Sequence, residues 1–382
     1  MKKKVTIVTA TRAEYGILRP LIHKLVSDNI VQLQLIVTGT HLDETYGNTQ
    51  KEIIQDGFKI FRKIPILEKG NTNYDISVTM ANAIKEFALY FRDESPDMVV
   101  LLGDRTEILG ISCAALNEHI PIAHLHGGEV TEGAVDDCIR HAVTKMSHLH
   151  FAANEQYRKR IIQLGENPNH VFNVGALGVE NVFHTTLLSK EEVCKQVGIP
   201  LNQKFAVVTF HPVTLDSEEN QTLQIRNVIE ALKKEKKYFY VITMANADSG
   251  GAYINQLLKI YSNECTNVVL VPSLGMVRYL STVKYSEFVL GNSSSGIIEA
   301  PALGVPTIDI GSRQKGRMMA DTILHCEAEI NEIVQAIERV PEIERKISYL
   351  YGNGHTSENI ANVIYKYVNY KTDMIQKAFF DL

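Results

Sequence analysis

The chain has 382 residues, too many for one ordinary domain and comfortable for two. With 45% hydrophobic and 22% charged residues each half can build a full core, and a net charge of −5 argues against a broad nucleic-acid surface. Five widely spaced cysteines without a C-x-x-C pair argue against a disulfide framework or a thiolate zinc site, and they fit a reducing cytoplasm.

The N-terminus reads MKKKVTIVTATRAEYG. Its apolar run is too short for a signal peptide and breaks at Thr11-Arg12, so it reads as a first strand. No stretch approaches the ~20 apolar residues that span a bilayer, so no membrane partner is expected. Further short apolar runs start at Leu33, Met98, Pro121, Leu149 and Val171. Runs this apolar suit strands buried on both faces, hence a parallel sheet covered by helices. Ile76–Phe91 and Val135–Ser147 have helical length and spacing between them. After a change of composition near 175–190 a second series follows, with strands from Phe205, Tyr238, Asn267, Glu287 and Pro306. Two consecutive β/α series predict two doubly wound α/β domains, 1–178 and 179–365, with the remaining residues helical.

Open α/β sheets bind ligands beyond the carboxyl ends of their strands. The unusual residues of this chain fall there. Thr11-Arg12 follows the first strand and enters a helix expected near Tyr15; Arg12 with helical N–H groups suits a phosphate. Gly103-Asp104-Arg105 follows MVVLL, where Asp104 can serve as a base or simply cap the next helix, and Arg105 can hold an anion. His124-Leu125-His126-Gly127-Gly128-Glu129, with Asp136, Asp137 and Arg140 after it, gathers candidates for acid/base chemistry. His124 and His126 can also be read as metal ligands, although no H-E-x-x-H spacing supports them. Asp136 or Asp137 can merely cap a helix. His211 leaves a strand where it can donate to a phosphate. Asn246 and Asp248 follow YFYVIT, as ligand contact and cap respectively. The densest segment is Gly291-Asn292-Ser293-Ser294-Ser295-Gly296, whose hydroxyls and N–H groups can cradle a diphosphate without being a Walker A loop. Glu299 in the following helix can accept from ribose hydroxyls, and Arg313, Lys315 and Arg317 follow the next strand.

In this order the motifs TRAEYG, HLDETYGNT, LLGDR, HGGE with DD-x-IRH-A-x-TK, FHPVT, GNSSSG-x-x-E and GSRQKGR resemble the hydrolysing UDP-N-acetylglucosamine 2-epimerases of sialic-acid biosynthesis over roughly residues 1–365. The resemblance implies the GT-B architecture: two Rossmann-like domains with the active site in the cleft between them. It also implies a C-terminal helix, 366–382, packed back on the first domain. It assigns nucleotide contacts to His211, Asn246, Ser293, Ser294, Glu299 and Arg313, joined by Arg12 and Arg105, and catalysis to Asp104 and Asp136. Where some members carry a third acid this chain has His126, and Glu129 is the nearest carboxylate. Either can take the third role, since imidazole titrates near neutrality. The implied reaction needs no cofactor and no metal. It takes a UDP-sugar as partner, in a cytoplasmic homodimer or homotetramer. The resemblance leaves two sugars open, N-acetylglucosamine and a 2,4-diacetamido-2,4,6-trideoxyhexose. A GT-B glycosyltransferase and a non-catalytic sensor of a sugar nucleotide are the rival classes.

Overall fold

The computed structural model describes residues 2–70, 72–131, 135–213, 216–245, 251–370 and 376–382. It divides into two compact units: Met1–Glu129 with Asp136–Asn181 and Gly352–Leu382, and Val130–Val135 with Val182–Tyr351. Among the described residues no helix is long and apolar enough to cross a membrane.

The first unit is built on a seven-stranded sheet. Its strands are β1 Lys4–Thr9, β2 Gln32–Thr38, β3 Arg62–Ile64, β4 Met98–Leu102, β5 Ile122–Leu125, β6 Leu149–Ala152 and β7 Val171–Asn173. They pair in parallel in the order β3-β2-β1-β4-β5-β6-β7. Side chains of β1 alternate between the two faces, as the pleat requires. Val5 and Ile7 join the helices Arg12–Asp28 and Thr356–Tyr370 in one core, and Val8 joins the helices Asn73–Glu94 and Thr106–Asn117 in the other. Thr6 is polar on that second face, yet its hydroxyl is satisfied by Tyr90 at 2.8 Å and Gln34 at 3.1 Å.

The second unit holds β8 Phe205–Thr209, β9 Phe239–Thr243, β10 Val268–Val271, β11 Phe288–Gly291, β12 Thr307–Ile310 and β13 Ile323–Cys326. They are also parallel, in the order β10-β9-β8-β11-β12-β13. Both units are therefore Rossmann-like, each reversing its strand order once. The reversal falls between β1 and β4 in the first sheet and between β8 and β11 in the second.

Several expectations need correction. The first helix starts at Arg12, not near Tyr15, because Thr11 and Glu14 form a reciprocal capping box. The last helix among the described residues is Thr356–Tyr370, and residues 376–382 are not helical. Two strands had no sequence signal: β3 is only three residues, RKI, and β13 reads ILHC, with three of its four residues at least partly exposed.

Candidate active site

The two switch points collect most of the residues singled out by sequence. In the first unit Thr11-Arg12 leaves β1 and Gly103-Asp104-Arg105 leaves its neighbour β4. Arg12 pairs through Nε with Glu52 Oε1 at 2.9 Å. Arg105 takes the cap position of the helix Thr106–Asn117, so Asp104 is not its cap. Asp104 instead accepts from Arg140 Nη2.

Arg140 organises this corner. Its side chain is 2% exposed and also donates through Nη1 to the Glu129 carbonyl at 2.9 Å and to Asp137 Oδ1 at 3.1 Å. A guanidinium this buried holds its place only when its donors are matched, as here. Asp136 and Asp137 both lie in the first turn of the helix Val135–Met146, where carboxylates are favoured by the helix dipole. Asp137 faces Arg140 and His141, while Asp136 is half-buried.

His126 sits in the left-handed region, with φ of 62°. This backbone sets its Nδ1 2.8 Å from Glu129 Oε1, and both side chains are largely buried. A carboxylate can only accept, so Nδ1–H donates and Nε2 is left as the basic nitrogen of the neutral ring. That Nε2 is buried and has no hydrogen-bond partner among the described residues. Glu129 thus fixes the orientation of the imidazole, with Nε2 turned away from it. The glycines before it are required by close approach. A Cβ on Gly127 would lie 2.9 Å from Thr144 Oγ1, and one on Gly128, at φ of 77°, would collide with the Tyr157 carbonyl.

The metal reading of His124 and His126 fails. His124 is fully buried, with Nε2 2.8 Å from the Gly103 carbonyl and Nδ1 3.1 Å from Thr144 Oγ1, so both ring nitrogens are used. Burial pushes its imidazole down to about 3, which keeps it neutral. Among the described residues no group of three or more His, Cys, Asp or Glu could hold a metal ion.

In the second unit Asn292, which the sequence offered only as part of the serine run, ties the switch point together. It is fully buried and clasps the backbone of His211, accepting from His211 N at 2.7 Å and donating to its carbonyl at 2.8 Å. Its own carbonyl accepts from Arg313 Nη1 at 2.9 Å and Gln314 Nε2 at 2.7 Å. His211, the serine turn and Arg313 are thereby brought together. The turn approaches β8 so closely that a Cβ on Gly291, at φ of 138°, would overlap the Thr209 carbonyl. Ser293 caps the helix Ser294–Ala302, and Ser294 and Glu299 are half-buried within it. Asn246 and Asp248 lie outside the described residues.

Arg140 and Asn292 had faint signals: Asp137 and Arg140 stand three apart on a helix, and Asn292 opens the serine run.

A model of the family described as UDP-N-acetylglucosamine 2-epimerase matches residues 23–365. The chain is 42% identical over 346 residues to a Campylobacter jejuni GDP/UDP-N,N'-diacetylbacillosamine 2-epimerase (hydrolyzing), covering 90% of this chain and 89% of that one. It is 40% identical to the Escherichia coli polysialic acid biosynthesis protein P7, covering 92% and 90%. A solved structure of UDP-GlcNAc 2-epimerase from Neisseria meningitidis bound to UDP-GlcNAc matches 95% of this chain and 100% of its own, with a TM-score of 0.80 at 20% identity. That likeness is one of fold, the GT-B-like class with two Rossmann-like domains. The motifs at both switch points and these matches agree: the chain belongs to the UDP-N-acetylglucosamine 2-epimerase family.

Proposed function

We propose that the chain is a hydrolysing 2-epimerase that converts UDP-N-acetylglucosamine to N-acetylmannosamine and UDP for sialic-acid synthesis, as a cytoplasmic homo-oligomer. The observation that carries this reading is the corner of the first unit where Asp104, Arg140, Glu129 and His126 meet at a strand end. The reaction removes the C2 proton as UDP leaves C1, giving 2-acetamidoglucal. Water then adds at C1, and C2 is reprotonated from the opposite face. The C2 proton is not acidic by itself, so C1–O cleavage runs ahead and builds oxocarbenium character. Asp104 and Asp136 supply carboxylates for that charge and for proton transfer. His126 Nε2, oriented by Glu129, supplies a base that some relatives provide as a third acid.

Departure of the diphosphate is served by Arg12, Arg105, His211, Asn246, the Ser293–Ser294 turn and Arg313, with Glu299 on the ribose. Arg313→Ala is expected to weaken UDP binding roughly 10–100-fold, the worth of one charge-assisted contact, with kcat much less affected. Calorimetric titration with UDP checks this, and unchanged affinity removes Arg313 from the site.

A second reading keeps the chemistry and changes the sugar to a nucleotide-linked 2,4-diacetamido-2,4,6-trideoxyhexose. The 42% identity to the Campylobacter diacetylbacillosamine enzyme favours it. Parallel incubation with both sugar nucleotides in heavy water, without acceptor, separates the readings. The first predicts free N-acetylmannosamine carrying one deuterium at C2. Turnover of the diacetamido sugar alone transfers the proposal to the second. Release of UDP with no epimer and no deuterium overturns both.

A further inference from the structure

Buried carboxylates from two elements meet the Arg105 side chain, and the steps above do not use them. Glu14 lies in the first turn of the helix Arg12–Asp28 and Glu107 in the first turn of the helix Thr106–Asn117, 7% and 6% exposed respectively. Arg105 Nε is 2.7 Å from Glu107 Oε1 and 3.9 Å from Glu14 Oε1. Glu14 is fixed by its other oxygen, which accepts from Ala10 N at 2.8 Å and Thr11 N at 3.2 Å. Its Oε1 is buried and makes no hydrogen bond among the described residues. The adjacency of β1 and β4 imposes this arrangement, because it sets the two helix starts side by side.

We propose that Glu14 and Glu107 are positioning residues for Arg105, and that the charge on Glu14 sets how strongly the Arg105 guanidinium draws the substrate's diphosphate. The inference rests on the reading that Arg105 serves that diphosphate. Glu107 aims the guanidinium by a direct charge-assisted bond. Glu14, held by backbone N–H groups, cannot swing away, so its charge acts on Arg105 at fixed distance. Burial first, then the charge of Glu107, pushes the Glu14 carboxyl up to about 7, against the pull of Arg105 and the two backbone donors. Glu14 is therefore neutral on the acid side of that value and anionic on the alkaline side. In the neutral form the cluster of Arg105, Glu14 and Glu107 carries no net charge; in the anionic form it carries one negative charge, which repels a diphosphate.

Arg12 and His41 flank the same strand end. Arg12 is paired with Glu52 of the helix Gln50–Gln55. His41, 3.0 Å from Thr9 Oγ1, is pushed by burial down to about 4 and is neutral throughout.

The test is UDP affinity, by calorimetric titration, for the full chain and for Glu14→Gln, which mimics the protonated acid. Comparing the two proteins at one pH cancels the ionisation of UDP itself. At about pH 6 the two should agree within about twofold; at about pH 8 Glu14→Gln should bind UDP roughly fivefold more tightly, as removal of a partly screened like charge predicts. An affinity ratio that does not change with pH overturns the proposal. Glu107→Gln gives a second reading without touching the Thr11–Glu14 cap. By removing the charge that raises Glu14, it should move the midpoint of pH-dependent UDP binding to lower pH, and should raise KM more than it lowers kcat. An unmoved midpoint also overturns the proposal. Arg105→Ala separates the two levels: if it binds UDP as the parent does, the role of Arg105 itself is wrong; if it binds weakly while Glu14→Gln shows no pH effect, only the role of Glu14 falls.

Discussion

Asparagine in place of Asp136 is expected to lower kcat by ~10²–10⁴-fold, the usual contribution of a general acid or base, while UDP affinity changes little. Asn is nearly isosteric and still accepts hydrogen bonds, but it cannot take up a proton at catalytic pH. Asp136 lies in the first turn of its helix and is half-buried, so the backbone around it should be undisturbed. Asp104→Asn is expected to lower kcat by a similar factor and to differ in a second readout. Asp104 is an anionic partner of Arg140, whose side chain is 2% exposed. Removing one partner of a buried pair leaves a charge uncompensated, at a cost of about 3–5 kcal/mol, reduced here because Asp137 also faces Arg140. The Asp104 variant should therefore melt earlier than the parent. Initial rates of UDP release and thermal unfolding followed by circular dichroism measure both. If both variants turn over within about threefold of the parent, against the ~10²-fold minimum expected of an acid/base, the catalytic assignment is wrong.

The second large effect is expected at Glu166→Gln, a residue to which no substrate contact is assigned. Glu166 is 2% exposed and receives three donors: Lys145 Nζ at 2.9 Å, His150 Nε2 at 3.0 Å and Lys377 Nζ at 2.6 Å. Lys377 also donates to the carbonyls of Lys145 and Ser147, at 2.6 and 2.7 Å. Nearby, Lys145 Nζ lies 4.6 Å from the centre of the Phe379 ring and Phe380 N donates to the Gly165 carbonyl at 3.0 Å. The segment 376–382 is thus pinned to the first unit at one buried carboxylate. Neutralising it leaves the Lys377 ammonium, whose side chain is 23% exposed, without its anionic partner, and should cost about 3–5 kcal/mol. For a unit of this size that lowers the unfolding midpoint by on the order of 10 °C.

The pH dependence has a definite sign. Burial alone would raise the Glu166 carboxyl, but the bonds from His150, Lys145 and Lys377 outweigh it and hold it at about 2, below its ordinary 4.5. A depressed acid contributes stability that is complete above the unfolded value and is lost as pH falls through the folded one. The stability gap between parent and Glu166→Gln should therefore be constant near neutrality and close between about pH 4.5 and pH 2. A variant that melts within about 1 °C of the parent at neutral pH, where on the order of 10 °C is expected, would show that this carboxylate does not hold the C-terminal segment.

The sequence by itself determined the two β/α series and the place of the site residues along them. Buried parallel strands read as continuous apolar runs, and a residue that follows such a run stands at the carboxyl edge of a sheet, however the strands are ordered. Arg12, Asp104, Arg105, His211 and Ser293 were legible for that reason. Tertiary structure alone decided which strand ends are neighbours. Pairing of β1 with β4 joins positions more than ninety residues apart (Val5 opposite Met98), and nothing local in either strand encodes it. From that pairing follows the meeting of Glu14 with Arg105. Packing of the helix Val135–Met146 likewise decided that Asp104 faces Arg140 rather than capping its own helix. The same limit hid β3 and β13: three or four residues of mixed polarity become strands only because a longer neighbour offers a hydrogen-bonding edge.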